Sequence, residues 1–217
     1  MATLQTDVLG RAFRGALSPP PLLTISEWAD RYGRLTSKTS ATPGPWKTYP
    51  YQRAIMDAFC HPLVENVVCF KSKRIGWTKI IGNVIYYHIH QDPTPILVVH
   101  PTVNDSEKYS KQEIQTTVDE TPELRALVGD RKSRDSSNTI SVKEFPGGNL
   151  YMIGANSGTG FRQTTARVVL FDEVDGYPPT AGAEGDQISL GKGRSETYWK
   201  RRSRRSSIRR WLTASAG

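Results

Sequence analysis

The amino-acid sequence predicts an α/β fold, in which a mainly parallel central sheet is flanked by helices on both faces. Apolar strand-like runs alternate with helical stretches, as expected when crossover helices join parallel strands. One strand-like run leads through a basic loop into a helix, and a later one ends in two consecutive carboxylates. In open sheets of this kind, ligands bind at the carboxyl ends of the strands. Both features therefore point to one site at that edge.

The N-terminal part of the chain is predicted to be helical and loop-like. We expect a Pro-containing arm over 1–21, a short helix from Thr24 to about Tyr32, a loop over 35–46 and a helix over Gln52–His61. We divide the chain into an N-terminal arm with its short helix, residues 1–44, and the main domain, residues 45–217.

The main domain continues with strands and helices in alternation. Strands are expected at 67–70 and 96–100, a helix between them from Thr78 to about Gln91, an amphipathic helix over Thr102–Glu120, a hairpin over Ser136–Ile153 that turns at Pro146–Asn149, and strands at Arg167–Phe171 and 208–214. No internal repeat interrupts this order.

The acidic pair Asp172-Glu173 follows the apolar run Val168–Phe171. In nucleotide hydrolases an Asp at this place holds Mg²⁺ on the phosphates, and an adjacent Glu can orient and deprotonate the attacking water. Taken alone, the pair is equally compatible with an acidic turn after a core strand. The basic loop upstream favours the catalytic interpretation.

That loop follows the strand-like segment 66–70 and precedes a helix, which is the order of a phosphate-binding loop. Against the usual pattern G-x-x-x-x-G-K-[ST], Gly76 takes the second glycine and Thr78 the Mg²⁺-binding hydroxyl. Trp77 stands where the lysine belongs, and Lys71 where the first glycine belongs. The site still needs backbone N–H groups at a helix N-terminus and one cation near the phosphates. The candidate cations are Lys71, Lys73, Arg74 and Lys79.

The chain resembles the ATPase domain of the large terminase subunit of tailed bacteriophages, in its lambda-like branch. The resemblance runs from about Pro45 to Gly217. It is carried by Tyr49-Pro50-Tyr51-Gln52-Arg53, the basic loop, Pro101-Thr102-Val103-Asn104-Asp105, Gly160-Phe161-Arg162, Asp172-Glu173 and Leu212-Thr213-Ala214-Ser215. The last of these departs from the family's coupling motif, which usually reads Ser or Thr followed by Thr-Pro or Ala-Thr.

The resemblance implies a P-loop NTPase-type sandwich that binds ATP and Mg²⁺. Its lysine is displaced to the front of the loop, which matches Lys71. The implied nucleotide-binding residues are Lys71, Ser72, Lys73, Arg74, Ile75, Gly76, Trp77, Thr78 and Lys79, with Tyr51 and Gln52 at the adenine; Gln52 could equally pack beneath the sheet.

Three further side chains have two interpretations each. Arg162 either stabilises the transferring phosphoryl group, in its own or a neighbouring subunit, or pairs structurally with a carboxylate. Thr213 and Ser215 either sense the γ-phosphate and couple it to motion, or are simple hydroxyls at a strand end.

The net charge of +8 is unevenly distributed. Residues 200–210 carry seven cations and no acid, so the rest of the chain is close to neutral. Such a block is either a solvated stretch or a contact to the DNA backbone. The DNA-binding candidates are Arg201, Arg202, Arg204 and Arg205.

Other features narrow the class of protein. No apolar run is long enough for a membrane span, and we expect no membrane partner. Cys60 and Cys69 are expected as buried free thiols in a reducing compartment, the host bacterial cytoplasm. The four histidines show no metal-ligand pattern, so no structural zinc is expected.

The favoured function is an ATP-hydrolysing motor domain that drives packaging of double-stranded DNA into a procapsid. By resemblance, its partners are the portal or procapsid, the small terminase subunit and further copies of itself in a ring. The alternatives are a basic nucleic-acid-binding remnant without hydrolysis and a helicase-like DNA-dependent ATPase. We expect no nuclease activity, because Asp172 and Glu173 serve ATP and the acids Glu107, Glu113, Asp119 and Glu120 form a solvated helix face.

Overall fold

A computed structural model describes residues 22–72, 75–129, 138–182, 185–200 and 210–216. Its strands are β1 (Arg34–Leu35), β2 (Gly44–Pro45), β3 (Asn66–Lys71), β4 (Ile96–His100), β5 (Val142–Phe145), β6 (Gly148–Gly154), β7 (Val168–Phe171) and β8 (Arg210–Ala216). Strands β1 and β2 form a small antiparallel pair. The other six form the main sheet in the order β3-β8-β7-β4-β6-β5.

The main sheet is parallel except at one edge. All neighbours from β3 to β6 run parallel, and β5 pairs antiparallel with β6. This confirms the predicted α/β class with a mainly parallel sheet. The hairpin turn is shorter than predicted, because Gly148 already pairs with Phe145 and leaves Pro146-Gly147 as the turn. Gly147 has φ 91°, a conformation that glycine adopts without steric cost.

The helices fill the connections between the strands. They are α1 (Ile25–Tyr32), α2 (Pro50–Ala58), α3 (Trp77–His90), α4 (Val103–Tyr109), a π-helical turn (Ser110–Ile114), α5 (Gln115–Glu120), α6 (Pro122–Arg125), α7 (Gly158–Arg162), a 3₁₀ turn (Val174–Gly176), α8 (Gln187–Gly193) and a second 3₁₀ segment (Glu196–Lys200). Every helix in these ranges is too short or too polar to cross a membrane.

Apolar side chains cover both faces of the sheet, which explains the continuous hydrophobic runs in its central strands. Along β4, Ile96 and Val98 face a core shared with α1 and α3, whereas Leu97 and Val99 face a second core beside α7 and α8. Helix α1 begins with a capping box between Thr24 and Glu27 and buries its apolar face in the first core. The N-terminal region thus packs onto the main domain, while the boundary at residue 44 stays a prediction.

The predicted helix over 102–120 is interrupted by the π-helical turn. The predicted solvated acidic face is wrong for Glu113, whose carboxylate is only 20% exposed and accepts a hydrogen bond from Lys79 Nζ. Ser110, at the start of this turn, donates to the carbonyl of Ile140. The turn therefore redirects side chains that a regular helix would have placed elsewhere.

Candidate active site

The candidate site lies at the carboxyl edge of the sheet, where β3, β8 and β7 end side by side. Strand β8 separates the other two, with Phe70 aligned to Ser215 and Phe171 aligned to Thr213. The basic loop leaves β3 at this edge, and Asp172 leaves β7 there. The two features that the sequence singled out are thus brought to one edge of the fold.

The loop enters helix α3 through Gly76, whose φ of 78° places it in the left-handed region. The preceding carbonyl, Ile75 O, accepts hydrogen bonds from Tyr51 Oη at 3.0 Å and from Gln52 Nε2 at 3.2 Å. A Cβ at Gly76 would lie 3.0 Å from Gln52 Nε2. Helix α2 therefore fixes the loop's exit, and glycine is required there both by conformation and by space.

The N-terminus of α3 is open to an anion. The helix has no side-chain cap and no acidic residue in its first turn. Its 14 residues align their peptide dipoles so that the N-terminal N–H groups favour negative charge. Thr78 lies exposed in this first turn, which leaves its hydroxyl accessible.

Trp77 stands at the position of the usual loop lysine, and its environment explains the substitution. The indole is buried in the core shared with α1 and α3. Its N–H is near enough to Asp172 to lower the pKa of that carboxyl somewhat, although its geometry falls short of a hydrogen bond. A charged lysine would fit poorly in this apolar position, which accounts for the tryptophan there.

Two of the candidate cations, Lys71 and Lys79, interact with different groups. Lys71 ends β3, is half-buried, and its positive charge lowers the pKa of Asp172, so its ammonium acts on the site. Lys79 Nζ instead donates to Glu113 and Thr39, outside the loop. This geometry favours Lys71 over Lys79. Lys73 and Arg74 lie outside the described residues; Ser72 is exposed beside them.

Asp172 is a buried carboxyl whose charge is only partly compensated. Burial raises its pKa, the negative charge of Glu173 raises it further, and Lys71 offsets part of the effect, leaving the pKa at about 6. Its Oδ1 makes no hydrogen bond within the part of the chain that the structure describes. A buried, unpartnered carboxylate oxygen at a strand end is typical of functional sites.

Glu173 is exposed and has a strained backbone. Its φ of 50° makes it the only non-glycine residue with positive φ in the described ranges. Such a conformation costs of order 1 kcal/mol for a residue with a Cβ and is concentrated at functional sites. The Glu173 side chain is exposed, whereas the adjacent Asp172 is buried.

The sequence missed His100. It ends β4 as Asp172 follows β7, and its Nδ1 lies 3.8 Å from Asp172 Oδ2. Burial lowers the pKa of His100 to about 4, so the imidazole is neutral at pH 7. The sequence pattern tests histidines only as metal ligands. The signal that could have identified His100 is its place as a polar residue at the carboxyl end of the strand next to β7.

Tyr51 and Gln52 have a structural contact that the sequence did not predict, since both hold Ile75 O. Gln52 is buried, while Tyr51 is 49% exposed and stacks on Tyr49 with ring centroids 6.0 Å apart. The exposed Tyr49–Tyr51 pair presents an aromatic face of the kind on which a base stacks. The Gln52 amide is bound to the loop carbonyl Ile75 O.

The remaining predicted residues are Arg162, Thr213, Ser215 and the DNA candidates. Arg162 is exposed at the end of α7, beyond β6, and β4 separates β6 from β7. Thr213 and Ser215 lie on β8 with their backbones between β3 and β7. The DNA candidates Arg201, Arg202, Arg204 and Arg205 lie outside the described residues.

A cavity of about 390 Å³ lies elsewhere, between β6, α7 and the start of α4. Its lining includes Val103, Ser157 and Thr164, and among the described residues neither Asp172 nor any part of the basic loop. It is therefore separate from the acidic pair.

The donor set fits Mg²⁺ bound together with a nucleotide. In the described residues no three His, Cys, Asp or Glu side chains converge as a metal cluster. Mg²⁺ keeps several waters and takes one or two protein ligands beside the substrate phosphates. One buried carboxylate with a free oxygen and one exposed hydroxyl, Asp172 and Thr78, match that requirement.

A mainly parallel sheet with a loop entering an open helix N-terminus, and an acidic pair two strands away, is the arrangement of a P-loop-like fold. The family model of the phage terminase large subunit gpA, ATPase domain, matches residues 40–208. The chain belongs to this family. The terminase large subunit of Enterobacteria phage P21 is 32% identical over 93% of the chain, and that of Escherichia phage lambda is 30% identical over 91%.

A solved structure supports the same fold. The large terminase of bacteriophage HK97 superposes with a TM-score of 0.64 over 88% of this chain and 37% of its own, at 13% identity. The chain spans about a third of the length of the curated relatives it matches, 32% of the P21 protein and 31% of the lambda protein.

Proposed function

We propose that this domain binds and hydrolyses ATP at the carboxyl edge of β3, β8 and β7. The observation that carries the proposal is Asp172, a buried carboxylate with an unpartnered oxygen, at the same sheet edge as the open N-terminus of α3. Family membership supports the same activity.

The proposed roles follow from what each group can do. The N–H groups at the start of α3 and the Lys71 ammonium bind the phosphates, and Tyr51, with Tyr49 beside it, offers a surface on which a base can stack. Thr78 and Asp172 would hold Mg²⁺, which supplies charge stabilisation on the phosphate oxygens. Glu173 orients the attacking water and accepts its proton. Arg162, exposed on α7, is better placed to reach a neighbouring subunit's site than its own.

In the complete protein, we propose that hydrolysis drives packaging of double-stranded DNA into a procapsid in the host bacterial cytoplasm. The large terminase subunits among the relatives support this assignment. The proposed partners are DNA, the portal or procapsid, the small terminase subunit and further copies in a ring. Thr213 and Ser215 would couple the γ-phosphate to motion, and no nuclease activity is expected of this domain. Family membership favours this function over a non-hydrolysing remnant or a helicase-like ATPase.

Measuring phosphate release by the purified protein, with and without double-stranded DNA, tests the proposal. Mg²⁺-dependent hydrolysis that DNA stimulates is the expected result. ATP binding without turnover under all conditions would favour the non-hydrolysing alternative. Turnover with single-stranded DNA as the better activator would favour the helicase-like one.

A further inference from the structure

His100 and Asp172 face each other across neighbouring strands at the candidate site. Val99 and Phe171 are aligned in the β4–β7 ladder, so the two residues that follow them are also neighbours. Asp172 N donates to Val99 O at 3.0 Å, which fixes this arrangement. Both side chains are less than 10% exposed. Their approach is thus built into the sheet and does not depend on a mobile loop.

The two carboxylate oxygens of Asp172 have different surroundings. Oδ2 lies 3.8 Å from His100 Nδ1, slightly longer than a hydrogen bond. Oδ1 is buried and makes no hydrogen bond to any described residue. Oδ2 is thus the oxygen nearest the imidazole, and Oδ1 is the one left without a partner for a cation.

The imidazole itself is restrained. The carbonyl of His100 accepts a hydrogen bond from Ala155 N at 2.7 Å, and its ring packs on Tyr109 with centroids 4.7 Å apart. Tyr177 Oη donates to the adjacent carbonyl, Val99 O, at 2.7 Å. With its backbone fixed on one side and its ring covered on the other, His100 keeps Nδ1 directed at Asp172.

We propose that His100 is a positioning residue for Asp172: it holds Oδ2 through Nδ1, so that Oδ1 is presented to the divalent cation of the nucleotide. The inference rests on the proposed function, since it assigns a role towards the cation of that same site. Groups that orient a metal-binding carboxylate typically contribute about 10–100-fold to metal affinity.

His88 provides a matched control at the opposite end of the sheet. It is equally buried, and its Nδ1 lies 3.5 Å from the carboxylate of Asp92. Asp92 Oδ2 is also bound by Arg167, so that carboxylate already has a cationic partner. If His100 acted only by filling space and supporting a carboxylate, the two histidines would behave alike.

Binding of Mn²⁺ to the protein with a non-hydrolysable ATP analogue, followed by electron paramagnetic resonance, tests the inference without turnover. His100→Leu should weaken Mn²⁺ binding by about tenfold, while nucleotide affinity in EDTA stays the same. His100→Asn places an amide N–H near the position of Nδ1 and should retain wild-type affinity within about threefold. His100→Gln reaches the position of Nε2 instead and should behave like His100→Leu. His88→Leu should lower the melting temperature and leave Mn²⁺ affinity unchanged.

The inference is overturned if His100→Asn weakens Mn²⁺ binding as much as His100→Gln, or if His88→Leu weakens it as much as His100→Leu. Should His100→Leu fail to fold, the comparison of the Asn and Gln variants decides alone. A wild-type protein that binds no Mn²⁺ with the nucleotide would overturn the proposed function as well. Wild-type binding with no discrimination among the variants would overturn only the role of His100.

Discussion

Strands β4 and β7 have a histidine–carboxylate pair near each end, and the two pairs are satisfied to different degrees. At the amino ends, Asp92 contacts His88 and the guanidinium of Arg167. Burial alone would raise the pKa of Asp92, but these contacts outweigh it and hold the pKa at about 2. At the carboxyl ends, burial raises the pKa of Asp172 to about 6.

The difference shows where the fold needs stability and where it needs an open ligand site. Arg167, itself buried, completes the charge of Asp92 and ties β7 to the segment that precedes β4. At the other end, Asp172 keeps an unpartnered oxygen at the edge where a cation would arrive. An unsatisfied buried carboxylate oxygen is costly, so its persistence on Asp172 argues for function there.

The largest expected effect comes from exchanging each carboxylate for an amide. Asp172→Asn should reduce ATP turnover by at least about 10³-fold, because a cation ligand is lost, and should not lower stability. Asp92→Asn should leave turnover near wild type and cost about 2 kcal/mol of stability, because buried Arg167 loses its partner. Steady-state kinetics and urea unfolding of both variants test this crossover. If both variants lost stability equally, the comparison would fail.

Glu173→Gln tests whether Asp172 and Glu173 have different roles. We expect ATP binding close to wild type and turnover lowered by at least about 10²-fold, because the base that acts in the transition state is lost. Single-turnover phosphate release and nucleotide titration separate the two effects. A variant with unchanged turnover would remove Glu173 from the catalytic role and leave Asp172 as the only functional acid of the pair.

Opposite pH dependences should distinguish the two aspartates in the metal-free protein. The folded pKa of Asp172 is raised from 3.8 to about 6, so its contribution to stability falls as pH rises from 4 to 6, by up to about 3 kcal/mol. The folded pKa of Asp92 is lowered from 3.8 to about 2, so its contribution is present above pH 4 and lost as pH falls below it.

Unfolding free energies of the wild type, Asp172→Asn and Asp92→Asn across this pH range, in EDTA, check both signs. Asp172→Asn should gain stability relative to the wild type between pH 4 and 6. Equal slopes for the wild type and Asp172→Asn would mean that Asp172 is better solvated than its burial indicates.

Lys71→Ala should weaken nucleotide binding or hydrolysis by about tenfold, more than Lys73→Ala or Lys79→Ala does. Of the loop cations that the structure describes, Lys71 is the one whose charge acts on Asp172, whereas Lys79 is engaged with Glu113. Titration of a fluorescent nucleotide against the three variants ranks them. A greater loss in Lys73→Ala would transfer the phosphate contact to that residue.

Substitutions in the basic block, residues 200–210, are expected to have the smallest effect on the two histidine–carboxylate pairs. Replacing Arg201, Arg202, Arg204 and Arg205 with Gln should leave stability and basal hydrolysis unchanged. It should flatten the salt dependence of DNA binding, with each lost phosphate contact reducing the slope by about 0.9. Fluorescence anisotropy with labelled duplex DNA at several salt concentrations measures this. An unchanged slope would assign the block to folding or to subunit contacts.

The sequence predicted the structure best at strands that are buried on both faces. The runs 96–99 and 168–171 are continuously apolar, rich in β-branched residues and short, which favours strands buried on both faces, so β4, β7 and the position of Asp172 were predictable. Strand β8 spans Arg210–Ala216, whereas the sequence predicted 208–214. Strand ends are hard to place from sequence beside a basic block.

Contacts between distant segments were not predictable from local patterns. Glu113 had to be brought to Lys79 by a π-helical turn, and Tyr51 and Gln52 had to meet Ile75 O across the space between α2 and the loop. His100 gave no motif of its own, because its relation to Asp172 arises from strand order. Each of these depends on tertiary packing that no local periodicity encodes.

The position of β8 between β3 and β7 has a consequence for biosynthesis. Strand β3, which leads into the basic loop, is made before β8, yet within the described residues its sole sheet partner is Arg210–Ala216, about 140 residues later in the chain. Contacts of such long sequence separation form slowly, since loop closure precedes any gain from pairing. Residues 66–71 therefore have no sheet partner during synthesis until β8 emerges, and Val68 and Phe70 stay exposed even after the two strands pair.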